Sequence, residues 1–119
     1  MRPSDTIDST REARRAAVIA VVRAIPPGVV LGYGEVARRA GLPRHARLVA
    51  KVLGTADDPS LPWHRVLRSD GRIALPAGSA GAREQARRLR AEGVDVVAGR
   101  VRQRPAVDTL DGALWAPAE

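Results

Sequence analysis

The amino-acid sequence predicts a mainly α-helical domain with a helix-turn-helix, similar to a winged helix, and one short β-hairpin. The first observation is a pair of short amphipathic segments joined by a turn at Gly41, where a helix C-cap glycine belongs. The second is the pair Asp70-Gly71 between two apolar runs, which is typical of a hairpin turn. The third is the length, because 119 residues without an internal repeat fit one domain, 1–119, with a modest core.

The first helix is predicted from an apolar pattern in the N-terminal quarter of the chain. Residues 1–10 are polar and are expected to be frayed. Apolar residues then recur at helical spacing from Ser9 or Thr10 to Ile25, with the Ser or Thr as N-cap. The sequence Pro26-Pro27-Gly28 is expected to end this helix.

The helix-turn-helix follows a short extended segment at 29–31 and a turn at 32–34. Its first helix is predicted from Tyr33 or Gly34 to Ala40, with arginines on the outer face. Its second helix is predicted from about Arg44 to Gly54 and begins with basic residues. Many small helix pairs have this pattern without contacting DNA, so the pattern alone leaves DNA binding open.

The second half of the chain contains the hairpin, predicted within 62–75, and a loop of small residues at 76–81. A strongly basic helix is predicted over 82–92. The core is expected to include residues from about 10 to 97, and 98–119 is expected to form a C-terminal extension.

The charge of the chain favours a polyanionic partner. Twenty basic residues stand against 13 acidic ones, which gives a net charge of +7. All basic residues except Lys51 are Arg, which a GC-rich genome explains equally well. The positive sign is not explained by codon usage alone.

Several classes of protein are disfavoured by composition. The chain has no Cys, and its only two histidines are His45 and His64, so neither a disulfide nor a structural zinc site is expected. No apolar run is long enough to span a membrane, and the N-terminus lacks the layout of a signal peptide. We therefore expect a cytoplasmic protein with no metal, no cofactor and no membrane partner.

Six short motifs occur in order between about Val18 and Val97. They are Ile25-Pro26-Pro27-Gly28-Val29-Val30, Tyr33-Gly34-Glu35-Val36-Ala37, Gly41-Leu42-Pro43 with Ala46-Arg47, Pro62-Trp63-His64-Arg65-Val66, Asp70-Gly71 and Leu89-Arg90-Ala91-Glu92-Gly93. Each motif is weak alone, but together they resemble the C-terminal domain of the O6-alkylguanine-DNA alkyltransferases. The resemblance covers some two-thirds of the chain and implies that domain's fold.

The resemblance also implies that this chain does not transfer alkyl groups. The family carries its acceptor thiol in Pro-Cys-His-Arg-Val, and here Trp63 stands at the Cys position. An indole does not replace a thiolate as a nucleophile. The chain therefore resembles the alkyltransferase-like subgroup, as does its ending in Trp115-Ala116-Pro117. This implies a monomeric, non-enzymatic sensor that flips O6-alkylguanine out of duplex DNA and flags it for nucleotide excision repair proteins.

On the DNA side, the resemblance assigns roles to residues of the helix-turn-helix. Arg47, next to Ala46, would enter the duplex from the minor groove and fill the gap left by the flipped nucleotide. Tyr33 would push against the target phosphate and bond the flipped base. Arg44 and Lys51 are candidates for phosphate contacts, although a solvated surface charge explains each of them as well.

In the base pocket, the resemblance places Trp63 at the floor. His64 and Glu92 match the family's proton-relay pair, and without a thiol we expect them to persist as a buried hydrogen-bonded pair. Arg65 is expected to tie this segment to neighbouring elements.

Two further pocket contacts would come from the backbone. The carbonyl of Val66 would accept from the guanine amine, and the N–H of Ser79 would donate to O6. Two departures stand out: the family's Asn before the Pro-Cys-His-Arg sequence is missing, and 76–81 has no aromatic or Arg side chain to cover the base.

Two alternatives come from other classes of function. One is an enzyme in which His64 and Glu92 act as a general acid/base pair. The other is a helix-turn-helix regulator that reads a DNA sequence and not a lesion.

Overall fold

The computed structural model describes residues 3–102, and their side chains from Thr10 onward. Within this range the chain forms four α-helices, two pairs of short strands and one 3₁₀ turn, so the mainly helical fold is confirmed. The elements in chain order are α1 (Pro3–Arg23), β1 (Leu31–Gly32), α2 (Tyr33–Arg39), α3 (Ala46–Thr55), the 3₁₀ turn (Trp63–Arg65), β2 (Val66–Leu67), α4 (Ala80–Ala91), β3 (Val96–Val97) and β4 (Arg100–Val101). None of the helices in 3–102 combines the length and hydropathy needed to cross a membrane.

Helix α1 begins earlier than its apolar pattern predicts. It starts at Pro3, so the segment expected to be frayed is helical from that residue. Proline suits the first helical position because the N–H groups of the first turn have no acceptor within the helix. The helix ends at Arg23, two residues before the predicted Ile25, and Pro26 then prevents its continuation.

Helices α2 and α3 form the predicted helix-turn-helix, with one correction at each start. The predicted turn at 32–34 is wrong, because Gly32 belongs to β1 and Tyr33 already begins α2. Glycine at 32 lets β1 approach the backbone of Ser69 closely, since a Cβ there would lie 3.1 Å from the Cα of Ser69. Helix α3 begins at Ala46 and not at Arg44, whose φ of 71° is incompatible with a right-handed helix.

The turn between these helices is closed at Gly41, as predicted. Its φ of 77° lies in the left-handed region that glycine adopts without strain. The Gly41 N–H donates to the Arg38 carbonyl over 3.0 Å, and the Leu42 N–H donates to the Ala37 carbonyl over 2.8 Å. These bonds satisfy the last carbonyls of α2 and fix the direction in which α3 leaves.

Strands β1 and β2 pair in parallel, with Leu31 opposite Val66 and Gly32 opposite Leu67. Tyr33 therefore follows β1 at the end of the pair where Arg68 follows β2. The 3₁₀ turn precedes β2 and lies at the opposite end. The two strands thus place the start of α2 and the 3₁₀ turn on one short scaffold.

The structure does not form two paired strands within 62–75, where the sequence predicts a hairpin. The Asp70-Gly71 turn forms, with the Gly71 N–H donating to the Arg68 carbonyl over 2.8 Å, but β2 pairs with β1 and not with the residues after the turn. The antiparallel hairpin is β3–β4, turning through Ala98 and Gly99, both with positive φ. Val101, beyond the expected core limit of 97, is only 5% exposed, so the packed core continues to that residue.

Two neighbouring cores hold these elements. One joins α1, α2 and α3 through residues such as Val18, Val36 and Val49. The other packs Leu89 of α4 against β2 and the hairpin, with Val96 and Val101 among its members. Because α4 also contacts the 3₁₀ turn, the second core fixes the side chains of α4 relative to that turn.

Candidate functional site

The carboxylate of Glu92 is the hub of the site. Glu92 caps the C-terminus of α4, and its side chain is only 16% exposed. Its Oε2 accepts from His64 Nε2 over 2.8 Å and from Arg65 Nη2 over 2.6 Å. Its Oε1 accepts from the Gly28 N–H over 3.1 Å and from Arg65 Nε over 3.1 Å. One carboxylate thus joins three segments that are distant in sequence.

These donors keep Glu92 ionised. Burial raises the pKa of a carboxyl group, but here the bonds from Arg65, His64 and the Gly28 N–H outweigh it and hold the pKa of Glu92 at about 2. The site therefore contains a permanent buried negative charge at neutral pH. Arg65 balances that charge through its Nε and Nη2 atoms.

Arg65 ties the 3₁₀ turn to the end of α1, as the sequence predicts. While its Nε and Nη2 atoms bind Glu92, its Nη1 donates to the carbonyl of Ile25 over 2.7 Å. Ile25 is one of the largest fully buried side chains. The guanidinium thus connects the site directly to the first core.

The His64–Glu92 pair is also present as predicted. His64 is 7% exposed, and its Nε2 faces a carboxylate that carries no proton, so Nε2 carries the proton of the pair. In a neutral imidazole this leaves Nδ1 as an acceptor. Nδ1 is buried and has no hydrogen-bond partner within residues 3–102.

Trp63 lies at the edge of the imidazole of His64. The two ring centroids are 6.2 Å apart and the planes are nearly perpendicular. The guanidinium carbon of Arg88 lies 5.5 Å from the Trp63 ring centroid, within the range of a cation–π contact. The Arg88 Nε donates to Glu84 over 2.6 Å, which orients the guanidinium. The contact between Arg88 and Trp63 was not predicted from the sequence. The available signal was the spacing of Glu84 and Arg88, which lie one helical turn apart.

Gln85 is a second residue that sequence reasoning missed. It is 3% exposed, and its Nε2 donates to the carbonyls of His64 over 3.1 Å and of Val66 over 3.0 Å. A polar residue on the apolar row of α4, one turn before Leu89, was the available signal. The Val66 carbonyl, predicted to face guanine, thus already accepts a hydrogen bond from Gln85.

Ser79 lies at the end of the loop that precedes α4. Its Oγ accepts from the Ala82 N–H over 3.2 Å, so it is the N-cap of α4. Its own N–H donates to the Pro76 carbonyl over 3.0 Å. The N–H that the resemblance assigns to O6 is therefore already used within the loop.

The exposed face of α3 carries the predicted cations. Ala46 is the first residue of α3, and Arg47, in its first turn, and Lys51, one turn later, are both exposed. Arg44 is exposed in the turn before the helix. Among the side chains described, those of residues 10–102, none of these three cations forms an ion pair.

Tyr33 is half-buried at the first position of α2. Burial raises the pKa of its phenol, and the nearby charge of Arg68 lowers that pKa by a smaller amount. The hydroxyl therefore stays protonated and able to donate at neutral pH.

The structure joins some predicted site residues and separates others. His64, Arg65 and Glu92 form one cluster with Trp63 at its edge, whereas Tyr33 lies beside Arg68. Two large grooves, of about 480 and about 1180 Å³, are lined by neither Trp63 nor Tyr33. Among residues 3–102 no group of three or more His, Asp or Glu side chains is placed to hold a metal ion.

A helix-turn-helix that presents unpaired cations, next to a buried His–Glu–Arg cluster, defines a DNA-binding domain of the alkylguanine-transferase type. The chain belongs to this family: residues 13–94 match the family model of the 6-O-methylguanine DNA methyltransferase, DNA binding domain. The resemblance inferred from the six motifs is confirmed.

Three known proteins illustrate the relationship. A protein of Vibrio parahaemolyticus named DNA base-flipping protein is 44% identical over 80 residues, which are 66% of this chain and 78% of the relative. The crystal structure of S. pombe Atl1 in complex with damaged DNA containing O6-carboxymethylguanine aligns with a TM-score of 0.64 at 36% identity, covering 82% of this chain and 83% of that one. The O6-methylguanine methyltransferase of Mycobacterium tuberculosis aligns with a TM-score of 0.54 at 27% identity, covering 85% of this chain and 53% of that one.

Proposed function

We propose that this protein binds duplex DNA at O6-alkylguanine and holds the lesion without removing the alkyl group. One observation carries the proposal. The His64–Glu92 pair is intact, but the residue before His64 is Trp63, and the chain has no Cys. The part of the site that would activate a thiol is built, and the thiol is replaced by an indole.

The absence of transfer follows from the chemistry of the acceptor. Alkyl transfer needs a soft, ionisable nucleophile, which a thiolate provides and an indole does not. The unpaired Nδ1 of His64 has no acidic side chain to deprotonate at position 63. His64 and Glu92 therefore serve to hold the 3₁₀ turn, and Trp63 offers the flipped base a flat apolar surface.

DNA binding is assigned to α3 and its cations. Arg47, exposed and without a carboxylate partner among the side chains of residues 10–102, would insert from the minor groove and occupy the space of the flipped nucleotide. Flipping costs a few kcal/mol, and least for a poorly paired base such as O6-alkylguanine. The S. pombe Atl1 complex with damaged DNA and the base-flipping name of the Vibrio relative support this assignment.

The step after binding would belong to other proteins. A protein that holds a lesion and cannot repair it leaves the alkyl group in place, so we propose that it marks the site for nucleotide excision repair. One monomer would suffice, because one helix-turn-helix and one side pocket address one lesion.

The test is a pair of binding titrations and a mass measurement. Two duplexes of the same sequence, one with guanine and one with O6-methylguanine, are titrated with the protein, and a second pair of unrelated sequence is the control. Tighter binding to both lesion duplexes is expected, with no change in protein mass after incubation. A protein heavier by one methyl group contradicts the absence of transfer. Preference for one sequence regardless of the lesion indicates the regulator instead, and loss of the alkyl group into solution indicates an acid/base enzyme.

A further inference from the structure

A basic groove lies on the side of the molecule formed by α4, the segment 72–78 and the β3–β4 hairpin. It is open and has a volume of about 1180 Å³. Among the described residues, no Asp or Glu lines it. Its lining includes six arginines, and we call it the arginine groove: Arg68, Arg72, Arg83, Arg90, Arg100 and Arg102.

Asp70 offsets part of this charge at the rim. It lies 3.6 Å from Arg72, and its charge also interacts with Arg68 and Arg100. Arg90 donates to the carbonyl of Val96 over 2.9 Å. Within the described part of the chain, Arg68, Arg83 and Arg100 form no ion pair. An anionic occupant is therefore favoured.

The groove also exposes apolar side chains. Leu75 is 40% exposed and Val97 is 46% exposed, and they are the large hydrophobic residues found exposed within residues 10–102. Both line the arginine groove. A phosphate backbone would neutralise the charge of the arginines but would leave these two apolar side chains exposed to water. The groove is thus suited to a peptide that carries both acidic and apolar residues.

The chain itself contains such a peptide. Residues 103–119 lie outside the described residues, but their sequence is known. After Arg104 they contain three acidic residues and no basic one. The same stretch contains four large apolar residues: Val107, Leu110, Leu114 and Trp115.

We propose that the segment 105–119 of this chain binds in the arginine groove. Arg102, three residues before the segment, lines the groove, so the segment starts next to its binding surface. An intramolecular partner is present at an effective concentration on the order of millimolar, so even a weak contact is populated. The acidic residues of the segment complement the arginines in charge, and its apolar residues match the exposed Leu75 and Val97. Since the groove includes residues 76–78, the bound segment also supports the loop before α4.

The test uses the full chain and requires no DNA, so it is independent of the proposed function. Because the protein has no Cys, a single Ala113→Cys substitution accepts one nitroxide spin label. The amide signals of Leu75, Arg83 and Val97 are then followed by NMR with the label active and reduced. These signals are expected to lose most of their intensity when the label is active.

A matched variant checks that the contact is ionic. In the same labelled protein, the double substitution Arg83→Glu and Arg100→Glu is expected to restore the signals of Leu75 and Val97. Broadening that is absent, or that falls instead on Leu48 and Thr55 of the groove between α1 and α3, overturns the proposal. A mixing control tests for a second copy: isotope-labelled protein without a spin label is mixed with spin-labelled protein. Broadening in this mixture would show that the segment of a second copy occupies the groove, and it also overturns the proposal.

Discussion

Glu92 Oε2 lies 2.8 Å from His64 Nε2, on the residue that follows Trp63 in a chain without Cys. The same carboxylate also binds Arg65 and the Gly28 N–H, so the pair is part of a network that joins the segment after α1, the 3₁₀ turn and the end of α4. This gives the pair a structural role in a chain that has no Cys. The pair stabilises the fold around position 63.

Substitution Glu92→Gln is expected to lower the free energy of unfolding by about 2–4 kcal/mol. The amide would leave the buried charge of Arg65 unbalanced, which is the costly way to break a buried ion pair. Urea denaturation of both proteins measures the difference. The matched control is Glu84→Gln, since Glu84 also pairs with two arginines but near the surface, where solvent screens the charges and a much smaller change is expected. Equal effects at the two positions would contradict the hub role of Glu92.

The stability should fall in acid through the same carboxylate. Glu92 has a folded-state pKa of about 2, against an ordinary value of 4.5. Its folded pKa is therefore depressed, so its contribution is fully present above pH 4.5 and is lost as the pH falls towards 2. The contribution is about 3 kcal/mol at most. Denaturation between pH 7 and pH 2.5 is expected to show this loss in the parent and a flatter profile in Glu92→Gln; superimposable profiles would exclude Glu92 as its source.

Arg47→Ala is expected to weaken binding to a duplex with O6-methylguanine by about 1–3 kcal/mol, the scale of a good side-chain contact to a base. The reason is the loss of the side chain that fills the gap left by the flipped nucleotide. Fluorescence anisotropy of a labelled duplex measures the affinity. The control is Arg23→Ala, which removes the same charge from α1, where Arg23 pairs with Asp58. If the two variants bind alike, Arg47 contributes only charge.

Tyr33→Phe is expected to weaken lesion binding less than Tyr33→Ala. The Phe variant keeps the aromatic face and loses only the hydroxyl, which is protonated at neutral pH because burial raises its pKa. The same anisotropy titration compares the three proteins. A Phe variant as weak as the Ala variant would mean that the hydroxyl, and not the ring, makes the contact.

Binding should weaken steeply with salt for damaged and undamaged duplexes alike. A net charge of +7 favours release of counterions from DNA, and each neutralised phosphate adds about −0.9 to the slope of log K against log salt. The difference between the two duplexes should stay nearly constant, because contacts to a neutral base release few ions. Titrations over a series of salt concentrations test both statements. A flat response would exclude the DNA backbone as a partner, and a gap that closes with salt would mean that the lesion is sensed through the backbone.

The sequence predicted those features that local chemistry dictates. Gly41 marked the end of α2 because only glycine adopts its backbone angle without strain, and apolar spacing identified the helices. The identity of Trp63 and the absence of Cys are properties of the sequence itself, and they carry the expectation that no alkyl group is transferred. All of these features belong to single residues or short windows, and no distant contact alters them.

The tertiary structure decided the features that depend on distant partners. The residues after Gly71 have the sequence pattern of the second strand of a hairpin. Strand β2 nevertheless pairs with β1, whose residues lie thirty-five positions earlier in the chain. That pairing is favoured because both cores bury it. Gln85 and Arg88 became part of the site only because α4 packs on the 3₁₀ turn. Sequence alone thus named the residues that make this chain a family member without a thiol. Only packing could show that Glu92 binds Gly28, His64 and Arg65 together, since a hydrogen bond across sixty-four residues leaves no local pattern.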